Sequence, residues 1–180
     1  MKKLKFIFWV VNNLLPENKT LFSKDIKRGK IGEIIFKEDF LDFLGIKYQD
    51  VTKCQKFQII DSDYITKIGL YEIKNNYKDD KQLIVEEYTN INKELGLISK
   101  GWFYKTKADL LIYLSKETRT MIFIPMVDTF KKHYEKIKDK YKLNINKISI
   151  DKNGNKWQSA YRRISLEDIK GFYSMYKKIS

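Results

Sequence analysis

Residues 60–74 read Ile-Asp-Ser-Asp-Tyr-Ile-Thr-Lys-Ile-Gly-Leu-Tyr-Glu-Ile-Lys, and few arrangements satisfy them. Apolar and polar side chains alternate on both sides of Lys67 and Ile68, which predicts two strands joined by a tight turn. A turn centred there sets Asp63 opposite Glu72 and Asp61 opposite Lys74, and the two-residue period of a strand puts all four on one face. Directly opposed side chains have Cβ atoms about 5 Å apart, so two carboxylates would be brought together at an energetic cost. A divalent cation offsets that repulsion, and a lysine two residues along the strand could orient an attacking water or stabilise charge on a phosphate. The same ladder also suits the solvent face of an ordinary sheet. A lone Glu-x-Lys carries little information.

The rest of the chain predicts a mixed order of elements. Residues 19–44 carry apolar side chains at helical spacing (Ile31, Ile34, Ile35, Phe36, Phe40, Phe43, Leu44), with Gly45 as a stop. Strands are expected at 48–52, 57–66, 68–75 and 83–89 as a meander, then at 110–114 and 121–125 after a short helical connection at 101–108. Residues 128–140 form a second helix with Phe130, Tyr134 and Ile137 on one face. Residues 147–151 and 157–163 read as a hairpin around Asn153-Gly154, followed by a helix from Ser165. The fold class is α/β or α+β, a central mixed sheet flanked by helices. At 180 residues we expect one domain, with a core at about 20–141 and a hairpin-helix extension at about 142–180.

Composition removes several chemistries. One cysteine, Cys54, and one histidine, His133, leave no disulfide framework, no Cys- or His-rich zinc site and no histidine-based hydrolytic pair. Carboxylates and lysines remain, which favours hard cations such as Mg²⁺ or Mn²⁺. The net charge of +13 suits a polyanionic partner, although 32 of the 36 basic residues are lysine, as AT-rich coding would produce. Residues 131–180 hold 14 basic and 5 acidic side chains, so the C-terminal third is the electropositive part. The apolar run from Phe6 to Val11 is interrupted by Asn12 and Asn13 and lacks a small-residue cleavage site. We therefore expect a cytoplasmic protein without a membrane span.

Arg28-Gly29-Lys30-Ile31-Gly32-Glu33, the hairpin at 60–74, and Leu83-Ile84-Val85-Glu86-Glu87-Tyr88 followed by residues 101–109 together resemble the PD-(D/E)XK nuclease superfamily, in particular its small phage-encoded members. The resemblance spans about residues 28–125 and excludes the basic C-terminal third. It departs from the pattern at Ser62, where the superfamily's proline would stand. It implies a restriction-endonuclease-like core and a Mg²⁺-dependent DNA endonuclease of phage or mobile-element type. Asp63, Glu72 and Glu86 would be metal ligands, Glu33 would reach the site from the first helix, and Lys74 would assist catalysis. Spacing leaves Asp61 an alternative to Asp63 on the same strand face, and Glu87 an alternative to Glu86, which faces the opposite way along its strand. Lys105, Lys107, Arg162 and Arg163 are candidate DNA contacts, the arginine pair being equally a charged edge that discourages sheet-to-sheet pairing. Trp102 and Phe103 read as core, and His133 as a surface helix residue. Cutting both strands of a duplex takes two sites, hence an expected homodimer. The rival readings are a catalytically inactive nucleic-acid-binding protein of the same fold, or an accessory protein whose charge reflects only codon usage.

Overall fold

A computed structural model describes residues 21–76, 81–91, 98–115, 118, 120–150 and 156–177. Its central sheet has six strands in the order β1-β2-β3-β6-β7-β12: β1 (Tyr48–Asp50), β2 (Tyr64–Thr66), β3 (Gly69–Asn76), β6 (Leu110–Ser115), β7 (Thr120–Pro125) and β12 (Ser174–Lys177). The sheet is mixed, since β3 runs parallel to β6 while its other neighbours pair antiparallel. Strands β4 (Gln82–Asn90), β5 (Ser99–Lys100), β8 (Asn144–Ile145) and β11 (Ala160–Ser165) build a second sheet in the order β5-β4-β11-β8. The short pair β9 (Ser149–Ile150) and β10 (Lys156–Trp157) stands apart from both.

The expected meander ends at β3, because β4 leaves for the second sheet. Burial explains the exchange. In β6 and β7 nearly every side chain is buried, as a central strand covered on both faces requires, whereas β4 buries only alternate residues and needs one covering layer. Helix α1 (Leu21–Phe36) covers one face of the central sheet with Ile31, Ile35 and Phe36 against Tyr64, Tyr71, Ile73 and Phe123. On the other face Leu111, Tyr113, Ile122 and Ile124 meet Leu83 and Val85 of β4 and Phe130, Tyr134 and Ile137 of helix α4 (Asp128–Ile137). Trp102 and Phe103, on the short helix α3 (Trp102–Lys105), belong to that second core as expected.

Three further expectations need correction. The first helix continues past Phe36 as a π-helical segment, Lys37–Asp42. The wider turn carries Phe43 and Leu44 off the buried stripe, leaving them 61% and 49% exposed. The strand expected at 57–66 forms only from Tyr64. Before it the chain winds through helix α2 (Gln55–Gln58) into a turn where Asp61 has φ +49°. At Ser165 the hydroxyl caps a 3-10 turn, Leu166–Ile169, by accepting from the Glu167 N–H, and the chain then returns as β12 instead of continuing as a helix. Residues 142–177 are consequently not an appended unit, since β11 pairs with β4 and β12 with β7. The proposed Asn153-Gly154 turn lies outside the described residues, as does Lys19. No helix among the described residues is long and apolar enough to cross a membrane.

Candidate active site

The hairpin register is the one that a turn at Lys67-Ile68 dictates: Tyr64 pairs with Tyr71, Ile65 with Leu70 and Thr66 with Gly69. The ladder stops there, and the Asp63 N–H donates to the same Tyr71 carbonyl at 2.7 Å, an irregular step that keeps Asp63 against β3. Its carboxylate turns over β3 and accepts from the Ile73 N–H at 2.8 Å. Alternation along β3 sends Tyr71 and Ile73 into the α1 core and Glu72 to the opposite side, where it is only 5% exposed. The Lys74 ammonium, from the same side of β3, is ion-paired to Glu72. It also lies 5.4 Å above the Trp102 ring.

These groups open onto a cavity of about 870 Å³ lined by residues of α1, β3, β4 and β11. Glu33 reaches it from α1, where the Tyr64 hydroxyl donates to the Glu33 carbonyl at 3.3 Å. Gly32 makes this approach feasible, since a Cβ there would stand 2.8 Å from the Asn75 Cβ on β3. Asp61 also lines the cavity, but from a turn and not across from Lys74 as strand alternation would have it. The turn is pinned by the Thr106 hydroxyl donating to the Asp61 carbonyl at 3.0 Å and by the Lys107 N–H donating to the Ile60 carbonyl at 2.9 Å. On the far wall Glu86 accepts from the Trp102 N–H at 3.4 Å and the Thr89 hydroxyl at 3.3 Å. Gly101 lets β5 press against that point, as a Cβ would fall 2.2 Å from the Glu86 carbonyl oxygen.

Enclosing carboxylates together has an electrostatic signature. Burial raises the pKa of Glu72 to about 7, the nearby Lys74 working against the rise. Asp63 is raised to about 6, again first by burial, with the Ile73 hydrogen bond opposing and the Glu33 charge reinforcing. Glu33, Asp61 and Glu86 are raised as well, each chiefly by burial. For Lys74 burial favours the neutral amine, but Glu72, with Asp61 and Asp63, outweighs it and the pKa is raised. Lys74 is therefore a cation and a proton donor near neutrality, not a base.

Of the residues singled out in the sequence, Glu33, Asp61, Asp63, Glu72, Lys74, Glu86, Lys105 and Arg163 line this one cavity. Lys107 is exposed and lies outside its lining. Arg162 departs from expectation. Its guanidinium turns inward and donates to Glu87 at 2.9 Å, to the Lys138 carbonyl at 2.8 Å, to the Tyr141 carbonyl and to Asp139 at 3.2 Å, so it is not a free phosphate contact. Glu87, buried on the opposite face of β4 from Glu86, also accepts from the Tyr134 hydroxyl at 2.5 Å. Glu86 and Glu87 thus divide between cavity and core. Arg162→Ala would leave the Glu87 charge buried without its partner; the expected loss is about 3 kcal/mol, or roughly 6–12 °C in Tm. Thermal unfolding checks this, and an unchanged Tm would refute the structural assignment of Arg162.

Asn146, Ser159 and Tyr161 line the cavity without having been anticipated. Tyr161 was legible in principle, being two residues from Arg163 and so on the same strand face. Asn146 and Ser159 are brought in by the β8–β11 pairing, which no local pattern announces.

Among the described residues no three His, Cys, Asp or Glu side chains stand close enough to hold an ion by themselves, so neither Glu33 nor Glu86 closes a ligand set with Asp63 and Glu72. Two carboxylates still fit Mg²⁺, which commonly takes one or two protein carboxylates and completes its shell with water and substrate phosphate oxygens. No protein-family model matches the chain, and neither a curated protein nor a solved structure shows significant similarity to it.

Proposed function

We propose that the protein is a divalent-metal-dependent deoxyribonuclease with a restriction-endonuclease-like core, hydrolysing DNA phosphodiester bonds in the cavity lined by α1, β3, β4 and β11. The observation that carries this reading is the meeting of two desolvated carboxylates, the buried Glu72 and the partly buried Asp63, beside a lysine that stays protonated. An ordinary sheet surface would expose such groups to water, where their pKa values would stay low. Perturbed carboxylates converging in a cleft are the usual mark of a reactive site. The order of a helix bearing Glu33, the antiparallel hairpin β2–β3 and the parallel partner β6 is consistent with the resemblance noted in the sequence.

Asp63 and Glu72 would hold Mg²⁺ or Mn²⁺, which supplies Lewis-acid polarisation of the phosphate and charge neutralisation. Lys74, held by Glu72 at the cavity wall, donates to a phosphate oxygen and stabilises the charge that builds as water attacks phosphorus in line with the leaving oxygen. The proton lost by the water needs an acceptor. Glu33 and Glu86, with raised pKa values, are carboxylates suited to take it. The leaving oxygen departs with the bonding electron pair and is protonated by Lys74 or solvent. Lys105 and Arg163 supply positive charge at the rim for the flanking backbone.

The test is incubation of the protein with plasmid and linear DNA and with oligonucleotides, in Mg²⁺ or Mn²⁺ and in EDTA. Cleavage in metal alone is expected. DNA bound without cleavage of any substrate would instead favour a non-catalytic binding protein.

A further inference from the structure

The wall of the cavity opposite the hairpin carries a feature that cleavage itself does not use. Strand β11 breaks register against β4 between Ala160 and Tyr161, so that Ala160 pairs with Tyr88 and Tyr161 with Glu86. The extra residue is Glu87 on β4, which turns into the core. Alternation along β11 sends Tyr161 and, two residues later, Arg163 to the cavity side of the sheet. The Arg163 guanidinium lies 5.5 Å from the Tyr161 ring centroid, a two-layer flat platform. Beside it the Asn146 amide donates to the Ser159 hydroxyl at 2.7 Å. That leaves the Asn146 side-chain oxygen and the Ser159 hydroxyl proton to meet a polar edge.

We propose that the Tyr161–Arg163 platform with Asn146 and Ser159 receives an unpaired nucleotide, so that the substrate is single-stranded DNA or the unpaired end of a duplex. The assignment rests on the nuclease reading above. A cavity of about 870 Å³ has the capacity of a site enclosing a small ligand, roughly 300–1,000 Å³, and Glu72 lies almost fully covered within it. A paired base keeps its faces covered by its stack and cannot lie on such a platform, whereas an unpaired one can be splayed out and stacked on an aromatic ring or an arginine plane. Sites for single strands combine such stacking surfaces with basic groups along the backbone, here Lys74, Lys105 and Arg163. Hydrogen bonding by Asn146 and Ser159 would meet the base edge. Asn146 offers an acceptor and Ser159 a donor, and each of the four bases carries both a donor and an acceptor on its edge, so any of them fits.

The experiment compares a labelled single strand with a blunt duplex of equal length at matched salt. Binding is read by fluorescence anisotropy in EDTA and cleavage in Mg²⁺ and Mn²⁺, with wild type, Tyr161→Ala, Tyr161→Phe and Arg163→Ala. The strand is expected to bind at least about tenfold more tightly than the duplex. Tyr161→Ala should lose about tenfold on the strand and little on the duplex, and Tyr161→Phe should keep wild-type affinity because the ring remains. Should Tyr161→Ala fold poorly, the exposed Arg163→Ala carries the test, with a larger loss on the strand than on the duplex, where only its backbone charge is missed. Equal affinity for both forms, or equal cleavage of both with Tyr161→Ala unaffected, would overturn the substrate assignment and leave the nuclease standing. Absence of cleavage of either form in both metals would overturn the nuclease reading and the assignment with it.

Discussion

Replacing Lys74 by alanine is expected to lower the metal-dependent cleavage rate on the order of 10³-fold while the protein stays folded. Two effects combine. A cation positioned against the developing phosphate charge contributes about 10² to 10³ on its own. Lys74 is also the charge that most strongly holds down the pKa of Glu72, which burial has already raised to about 7. Without the ammonium, Glu72 binds a proton more readily at neutral pH, and proton and metal compete for it. The loss should therefore have a binding part, relieved by more Mg²⁺ or by higher pH, and a rate part that neither relieves. Lys74→Arg should recover some of the first and less of the second, because a guanidinium keeps the charge but not the point geometry of an ammonium. Cleavage rates measured across Mg²⁺ concentration and pH separate the two. Full recovery of Lys74→Ala at high metal would show that Lys74 only tunes the ligand.

Asp63→Asn should abolish cleavage and, in the absence of metal, stabilise the protein. Both pKa values lie above their ordinary ranges, Asp63 at about 6 and Glu72 at about 7. The folded protein then binds more protons than the unfolded chain across the interval from about 4 to 7. By linkage, stability from these groups is fully present below the unfolded-state values and is lost as pH rises through the folded-state values. Above pH 7 both carboxylates are forced to ionise side by side. Asparagine keeps an oxygen to accept the Ile73 N–H and removes one of the two charges. The expected gain is about 2 kcal/mol at pH 8, or roughly 4–8 °C in Tm, falling to nothing near pH 4. Mg²⁺ should stabilise wild type at pH 8 and the variant much less, because a ligand that binds only the folded state raises its stability. Thermal melts of both proteins from pH 4 to pH 8, in EDTA and in Mg²⁺, check this. A variant less stable than wild type at pH 8 would mean that Asp63 is a structural residue.

The parts of the fold that were legible are those governed by local periodicity. The β2–β3 turn at Lys67-Ile68 fixed the register from Thr66–Gly69 to Tyr64–Tyr71, because a one-residue slip would turn every side chain to the other face, but not the irregular step by which Asp63 bonds to Tyr71 and Ile73. Helix α4 was readable from Phe130, Tyr134 and Ile137 for the same reason. What escaped depended on tertiary choice. Nothing in Leu83 to Thr89 says whether β4 pairs with β3 or, as it does, with β11 some seventy residues later. The face of β4 was legible as an alternation of Glu86 and Glu87 but its direction was not, since the buried partner of Glu87 is Arg162, distant in sequence. That pairing also removed Arg162 from the expected DNA contacts while leaving Arg163, one residue on, at the cavity. The π-helical segment after Phe36 adds a residue to the turn, which no apolar periodicity of 3.6 anticipates.

The most direct test of the central claim is the single-turnover cleavage rate of a DNA oligonucleotide by wild type and Glu72→Gln, measured against Mg²⁺ concentration. Glutamine preserves the volume of a side chain that is 5% exposed, so the fold should be retained. If Asp63 and Glu72 hold the metal at which DNA is cut, wild type will show a saturating Mg²⁺ dependence and Glu72→Gln will fall on the order of 10³-fold below it at every concentration. Equal rates for the two proteins would contradict the account, because the cut would then be made without the pair on which the site is built.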